Sequence, residues 1–91
     1  MAISKEDAIA KARKDVANRL GIDESSVTEK SVENTEFPDL ALGASTDGEM
    51  SGAMMTSGWR IKLEGNGQTL EYRADKNQVR LFGYKGKNYR I

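Results

Sequence analysis

The chain has 91 residues, 14 Lys plus Arg against 14 Asp plus Glu, and neither histidine nor cysteine. A chain of that size makes one small domain, residues 1–91, and its composition removes the commonest general base and metal ligand, the thiolate nucleophile and every disulfide. No run of about 18 apolar residues is present to cross a membrane; the start Met1-Ala2-Ile3-Ser4-Lys5, soon interrupted by charge, is not a signal peptide, and the chain reads as cytoplasmic, or as an exported protein whose leader has been removed, its lack of cysteine fitting a reducing compartment without requiring one.

Ser4-Lys5-Glu6-Asp7 marks a helix start. The Ser4 hydroxyl suits an exposed backbone N–H, and two acids oppose the positive helix end. Asp7 is short for a full capping box, which prefers Glu or Gln. Ile9, Ala12, Val16 and Leu20 recur at three- and four-residue steps and predict an amphipathic helix over about residues 5–20. Gly21 fits the left-handed residue that ends it, with Ile22 folding back on the last turn.

Asp23-Glu24-Ser25-Ser26 is a polar turn. Val27 to Phe37 is rich in Val, Thr and Ser and reads as an edge strand or one face of a long bent strand. Pro38 cannot donate to a ladder and restricts Phe37, so the chain turns at Phe37-Pro38-Asp39, with Leu40 and Leu42 as core anchors. Residues 43–57 interleave glycine with Ala, Ser, Thr and three methionines. They read as a long mobile loop, allowing a short strand around Gly52–Thr56. Loops of that length in small domains are usually functional or disordered.

Trp59, Ile61 and Leu63 alternate with Arg60, Lys62 and Glu64. After Gly65-Asn66-Gly67, Leu70 and Tyr72 resume the alternation. Two such runs around Asn-Gly predict a hairpin. Ala74-Asp75-Lys76-Asn77 turns into a third strand, Val79 to Phe82, and Gly83 to Asn88 turns again toward Tyr89-Arg90-Ile91. The apolar face of this meander needs a cover, and the first helix is the amphipathic cover available. The fold class is α+β: one N-terminal helix packed across an antiparallel sheet of three to five strands, with a meander in the C-terminal half.

Phe37-Pro38-Asp39-Leu40-Ala41-Leu42-Gly43, then Gly58-Trp59-Arg60-Ile61-Lys62-Leu63-Glu64 and Leu70-Glu71-Tyr72-Arg73, resemble an uncharacterised group of small prokaryotic domains. That group carries a Trp-Pro-Asp-x-Ser-Leu-Gly-Cys-Pro stretch, a Gly-Tyr-x-Ile-x-Leu strand and a Tyr-x-Tyr-His segment. The likeness spans most of residues 8–82 and implies the fold rather than an activity. Ala44-Ser45 replaces Cys-Pro here and Arg73 replaces the histidine, so chemistry resting on those two residues is lost from this chain. A looser likeness is to PepSY-like and cystatin-like modules, which also lay a helix over a sheet.

Charge divides along the chain. Residues 1–57 carry 6 Lys plus Arg and 11 Asp plus Glu, a balance of −5; residues 58–91 carry 8 and 3, a balance of +5. Such asymmetry suits a nucleic-acid arm or a self-complementary surface. The plainer reading is an acidic unit beside a basic hairpin, their fields cancelling within roughly 10 Å.

Few constellations suggest chemistry. Asp39, Asp47 and Glu49 lack the spacing of a calcium loop, and Met50, Met54 and Met55 only faintly resemble a copper-handling segment. Glu33 and Glu36 fall on opposite faces of a strand. Ser45, Ser51 and Ser57 have no histidine and no nucleophile elbow. Gly65-Asn66-Gly67 joins two strands and is too short to cradle phosphate. The expectation is therefore no catalytic residue, no metal and no cofactor, in a non-enzymatic module that recognises a protein or peptide. The 43–57 loop would make the contact, with Met50, Met54, Met55 and Trp59 as adaptable apolar surface. The alternative is single-stranded nucleic-acid binding. It would use Arg73, Lys76, Arg80, Lys85, Lys87 and Arg90 with Phe82, Tyr84 and Tyr89, placing Arg80, Phe82 and Tyr84 on one face. The chain would be a monomer or a weak homodimer paired through an edge strand, Val27–Phe37 or Tyr89–Ile91.

Overall fold

The computed structural model describes residues 2–91. One helix, α1 (Lys5–Leu20), is followed by a single 3₁₀ turn (Glu24–Ser26) and five strands. These are β1 (Thr28–Phe37), β2 (Thr56–Gly65), β3 (Gln68–Ala74), β4 (Val79–Tyr84) and β5 (Lys87–Arg90). All neighbours pair antiparallel in the order β1-β2-β3-β4-β5. This is an α+β fold, and the meander takes the upper end of the expected strand number.

Helix α1 starts where the sequence places it. The Ser4 hydroxyl accepts from the Asp7 amide at 3.0 Å, and the Asp7 carboxylate accepts from the Ser4 amide at 3.3 Å. Aspartate therefore closes the capping box, against the expectation that its side chain is too short, and its limited reach shows only in the longer second bond. Gly21 ends the helix in the left-handed conformation, and the Ile22 amide donates to the Ala17 carbonyl. The buried stripe is Ala8, Ala12, Val16 and Ala17, with Ile9 and Leu20 at its margins. The expected stripe is thus rotated by about one residue. Small alanines face the sheet and let the helix approach it, while the larger side chains close the sides of the interface.

Against that stripe lie Ile61 and Leu63 of β2, Leu70 and Tyr72 of β3, and Val79 and Leu81 of β4. Each fully buried aliphatic side chain contributes about 1.5–3 kcal/mol. One polar thread crosses this layer: the Tyr72 hydroxyl donates to the Asp15 carboxylate at 2.7 Å, and Asp15 pairs with Arg19 at 2.7 Å. The Arg19 guanidinium in turn stacks 4.4 Å over Tyr89 and 5.5 Å over Tyr84. Burial, and then the hydrogen bond to Asp15, push the Tyr72 phenol well above its ordinary pKa.

Asn66 and Gly67 take positive φ, 51° and 76°, in the two-residue turn between β2 and β3, as Asn-Gly predicts. A different turn produces a departure. The β4–β5 register shifts between Leu81 and Tyr84, where Gly83 has φ 67°. The extra residue carries Tyr84 to the helix side, against Tyr89 and Arg19. Arg80, Phe82 and Tyr84 therefore do not share a face as the simple alternation implied.

Candidate functional site

The sheet face away from α1 is not an open polar surface. Strand register sets Arg60 opposite Arg73, Arg73 opposite Arg80, and Arg80 opposite Arg90. Four like charges in one row across four strands repel unless acids lie between them. Glu71 supplies one, 3.5 Å from Arg60 and 2.9 Å from Arg73. The other comes from far along the chain. Glu49 meets Arg80 with both carboxylate oxygens at 2.6 Å, a bidentate pair. That pairing, with the Thr46 amide, holds the Glu49 carboxyl at about 2, well below its usual 4.5.

Glu49 arrives there because residues 38–49 lie across this face. Asp39 accepts from the Ala41 and Gly43 amides and fixes a tight turn after Pro38. The Arg73 guanidinium donates to the Leu42 carbonyl at 3.1 Å, Arg80 to the Ala44 carbonyl at 3.2 Å, and Asn88 to the Ser45 carbonyl at 2.9 Å. Ala41, Leu42 and Ala44 of this segment are buried, as is Phe37 just before it. Phe82 and Phe37 sandwich Arg73, whose guanidinium carbon lies 3.6 Å and 5.5 Å from their ring centres. The molecule is therefore three layers, helix, sheet and irregular segment. Of the places where the chain departs from the group it resembles, Ala44 lies in the third layer and Arg73 lies in the sheet, bonded to that layer through the Leu42 carbonyl.

The second half of the long loop is different. Residues 50–55 form no helix or strand, and β2 begins only at Thr56, so the short strand allowed around Gly52–Thr56 is not formed. All exposed large hydrophobic residues among the described ones fall between positions 40 and 55: Leu40 at 45%, Met50 at 98%, Met54 at 63% and Met55 at 65%. Leu40 is thus a surface residue; Leu42 alone of the expected pair anchors the core. The reason is the Asp39 turn, which points Leu42 inward and leaves Leu40 bonded through its amide to the Gly52 carbonyl. Leu40, Met54, Met55 and Trp59 line one shallow groove of about 440 Å³, together with the turn residues Asp75, Lys76 and Asn77. Trp59 also lines the neighbouring depression beside Asn34, Thr35 and Glu36.

Of the four residues singled out from sequence, Met54, Met55 and Trp59 come together; Met50 stands apart, outside the groove. Leu40 belongs with them and was missed, because a leucine beside a proline turn reads as an anchor. Arg80 and Glu49 were missed as partners, being 31 residues apart. Acids were a foreseeable need once the arginine row was drawn from the hairpin register. Asp39, Asp47 and Glu49 do not converge: among the described residues no group of three potential ligands of that kind comes together. Glu33 and Glu36 fall on opposite sheet faces, as read from sequence. Among the described residues no helix is long and apolar enough to cross a membrane.

The chain belongs to the family described as a domain of unknown function, DUF8738, which matches residues 9–82 and so spans most of the helix, the arginines at 60, 73 and 80, and the groove. No curated protein and no solved structure matches it.

Proposed function

We propose that this DUF8738 member is a non-catalytic recognition module that docks a protein or peptide in the groove formed by Leu40, Met54, Met55 and Trp59. The observation that carries the reading is the confinement of the exposed large hydrophobic side chains to one segment, two of them beside a half-buried tryptophan. Contiguous apolar surface on a small domain marks interaction sites, and methionine adapts to varied partners. Leu40 is held through both backbone groups, its amide donating to the Gly52 carbonyl and its carbonyl accepting from the Gln78 side chain, which limits the ordering cost of binding. The absence of histidine and cysteine, and the commitment of Glu49 and Asp39 to local bonds, support a non-enzymatic reading.

Single-stranded nucleic acid is the weaker reading. Its two central cations, Arg73 and Arg80, already bond the loop, and Tyr84 and Tyr89 stack on Arg19. A peptide-display selection on immobilised protein tests the proposal. Enriched peptides should lose at least tenfold in affinity with Met54→Glu or Met55→Glu and be unaffected by Lys87→Glu. Peptides indifferent to both groove variants would overturn it, as would binding of a labelled oligonucleotide that Lys87→Glu abolishes.

A further inference from the structure

Sulfur is distributed unevenly in this molecule. There is no cysteine, and beyond Met1 the methionines are Met50, Met54 and Met55. None of these three is in the core; all are exposed, within six residues of one another. Met54 and Met55 line the groove, and the single tryptophan lies beside them. An oxidant reaching this protein therefore meets thioethers at the groove and no thiol in competition. The buried layers, built from Ala, Val, Leu, Ile, Phe and Tyr, offer it no sulfur.

We propose that Met54 and Met55 form an oxidation-sensitive modification site that switches the groove from apolar to polar while leaving the fold intact. The inference rests on the recognition reading for its biological sense, and on exposure and position for its chemistry. The oxidant is a peroxide. A methionine sulfur lone pair attacks one peroxide oxygen, the O–O bond breaks and an S–O bond forms. The second oxygen leaves as hydroxide and takes the proton from the oxygen now bound to sulfur, giving the sulfoxide and one water. Sulfur loses two electrons and peroxide gains them. The product, methionine sulfoxide, is polar and chiral, and a reductase reverses the step. Two sulfoxides on one wall of the groove present strong hydrogen-bond acceptors where an apolar partner group would sit. Such a group would have to desolvate them without returning a donor.

Trp59 makes the switch measurable. Folded protein is treated with hydrogen peroxide, then with a methionine sulfoxide reductase. It is followed by peptide mass mapping, circular dichroism, Trp59 fluorescence and binding of an apolar fluorescent probe. Met54 and Met55 should each gain one oxygen with the circular dichroism unchanged. Trp59 emission should move to the red, and probe binding should fall at least threefold. Reductase should restore both signals, and Met54→Leu/Met55→Leu protein should show neither response. Unchanged emission and probe binding after both sulfurs are oxidised would overturn the proposal, as would the same response in the leucine variant or loss of the folded signal. A display-selected peptide separates the two ideas. If it binds oxidised and reduced protein equally, the switch fails and recognition stands. If no peptide is selected, recognition fails while the sulfoxide response remains.

Discussion

Arg80, 3% exposed near the start of β4, grips Glu49 across 31 residues of chain with two bonds of 2.6 Å. The pair fastens an irregular segment to a sheet face that would otherwise be a row of arginines. Arg80→Gln removes the bidentate grip and the bond to the Ala44 carbonyl. We expect it to cost about 2–3 kcal/mol in urea unfolding, since hydrogen bonds to charged groups are the stronger kind. Amide exchange at Ala44 and Glu49 should accelerate while that at Val16 and Ala17 follows only the global change. An unchanged midpoint would show that the segment is held by its apolar residues alone.

Acid should loosen the same segment first. A carboxyl whose folded pKa is depressed adds stability above its ordinary value and loses it as pH falls through the folded one. For Glu49 that window runs from 4.5 down to about 2. Carboxyl titration by NMR should place Glu49 near the lower figure in the native chain and near the upper one in Arg80→Gln. Native Glu49 titrating near 4.5 would contradict the pairing.

The alkaline side has its own marker. Burial and the Asp15 carboxylate raise the Tyr72 pKa above its ordinary 10.0. Here the sign is reversed: this stabilisation is complete below about pH 10 and is lost as pH rises further, because the unfolded chain releases the phenolic proton first. Phenolate absorbance should show the Tyr72 ring ionising only as the chain unfolds. Tyr72→Phe should cost about 1 kcal/mol at neutral pH and remove that late ionisation.

Two glycines in β2 separate backbone from side-chain crowding. A methyl at Gly58 would collide with the Ala74 carbonyl oxygen, which belongs to the paired strand and cannot turn aside. At Gly65 it would meet the Ile22 Cδ1 at 2.7 Å, the free end of a side chain. Gly58→Ala should destabilise by about 2–3 kcal/mol and Gly65→Ala by about 1 kcal/mol or less, read by urea denaturation. Equal costs would show that the close β2–β3 approach at Gly58 is not what requires glycine there.

Local signals made much of this fold legible. Helix α1, the Asn66-Gly67 hairpin and the alternation of β2, β3 and β4 each rest on residues within a few positions of one another. So does the pairing of Met54 and Met55 with Trp59. The third layer was not legible. Strand alternation places Arg73 and Arg80 away from the helix, and charged residues facing away from a helix read as facing water. Their cover arrives from 31 residues away through Glu49 and the Leu42 carbonyl, and a carbonyl has no identity in a sequence. Tyr84 was misplaced for a related reason: a bulge at Gly83 reverses the period by one residue, and glycine in a strand permits a bulge without requiring one. Leu40 reached the surface because the Asp39 carboxylate, by accepting from Ala41 and Gly43, sets which leucine points inward.

Residue-resolved amide exchange across positions 41–55 tests the division of this loop most directly. The amides of Ala41, Gly43, Ala44, Thr46 and Glu49 all donate within the segment, and they should be protected well beyond those of Ser51 and Ala53. Uniformly fast exchange from Ala41 to Met55 would contradict the account: the arginine row would then have no fixed cover.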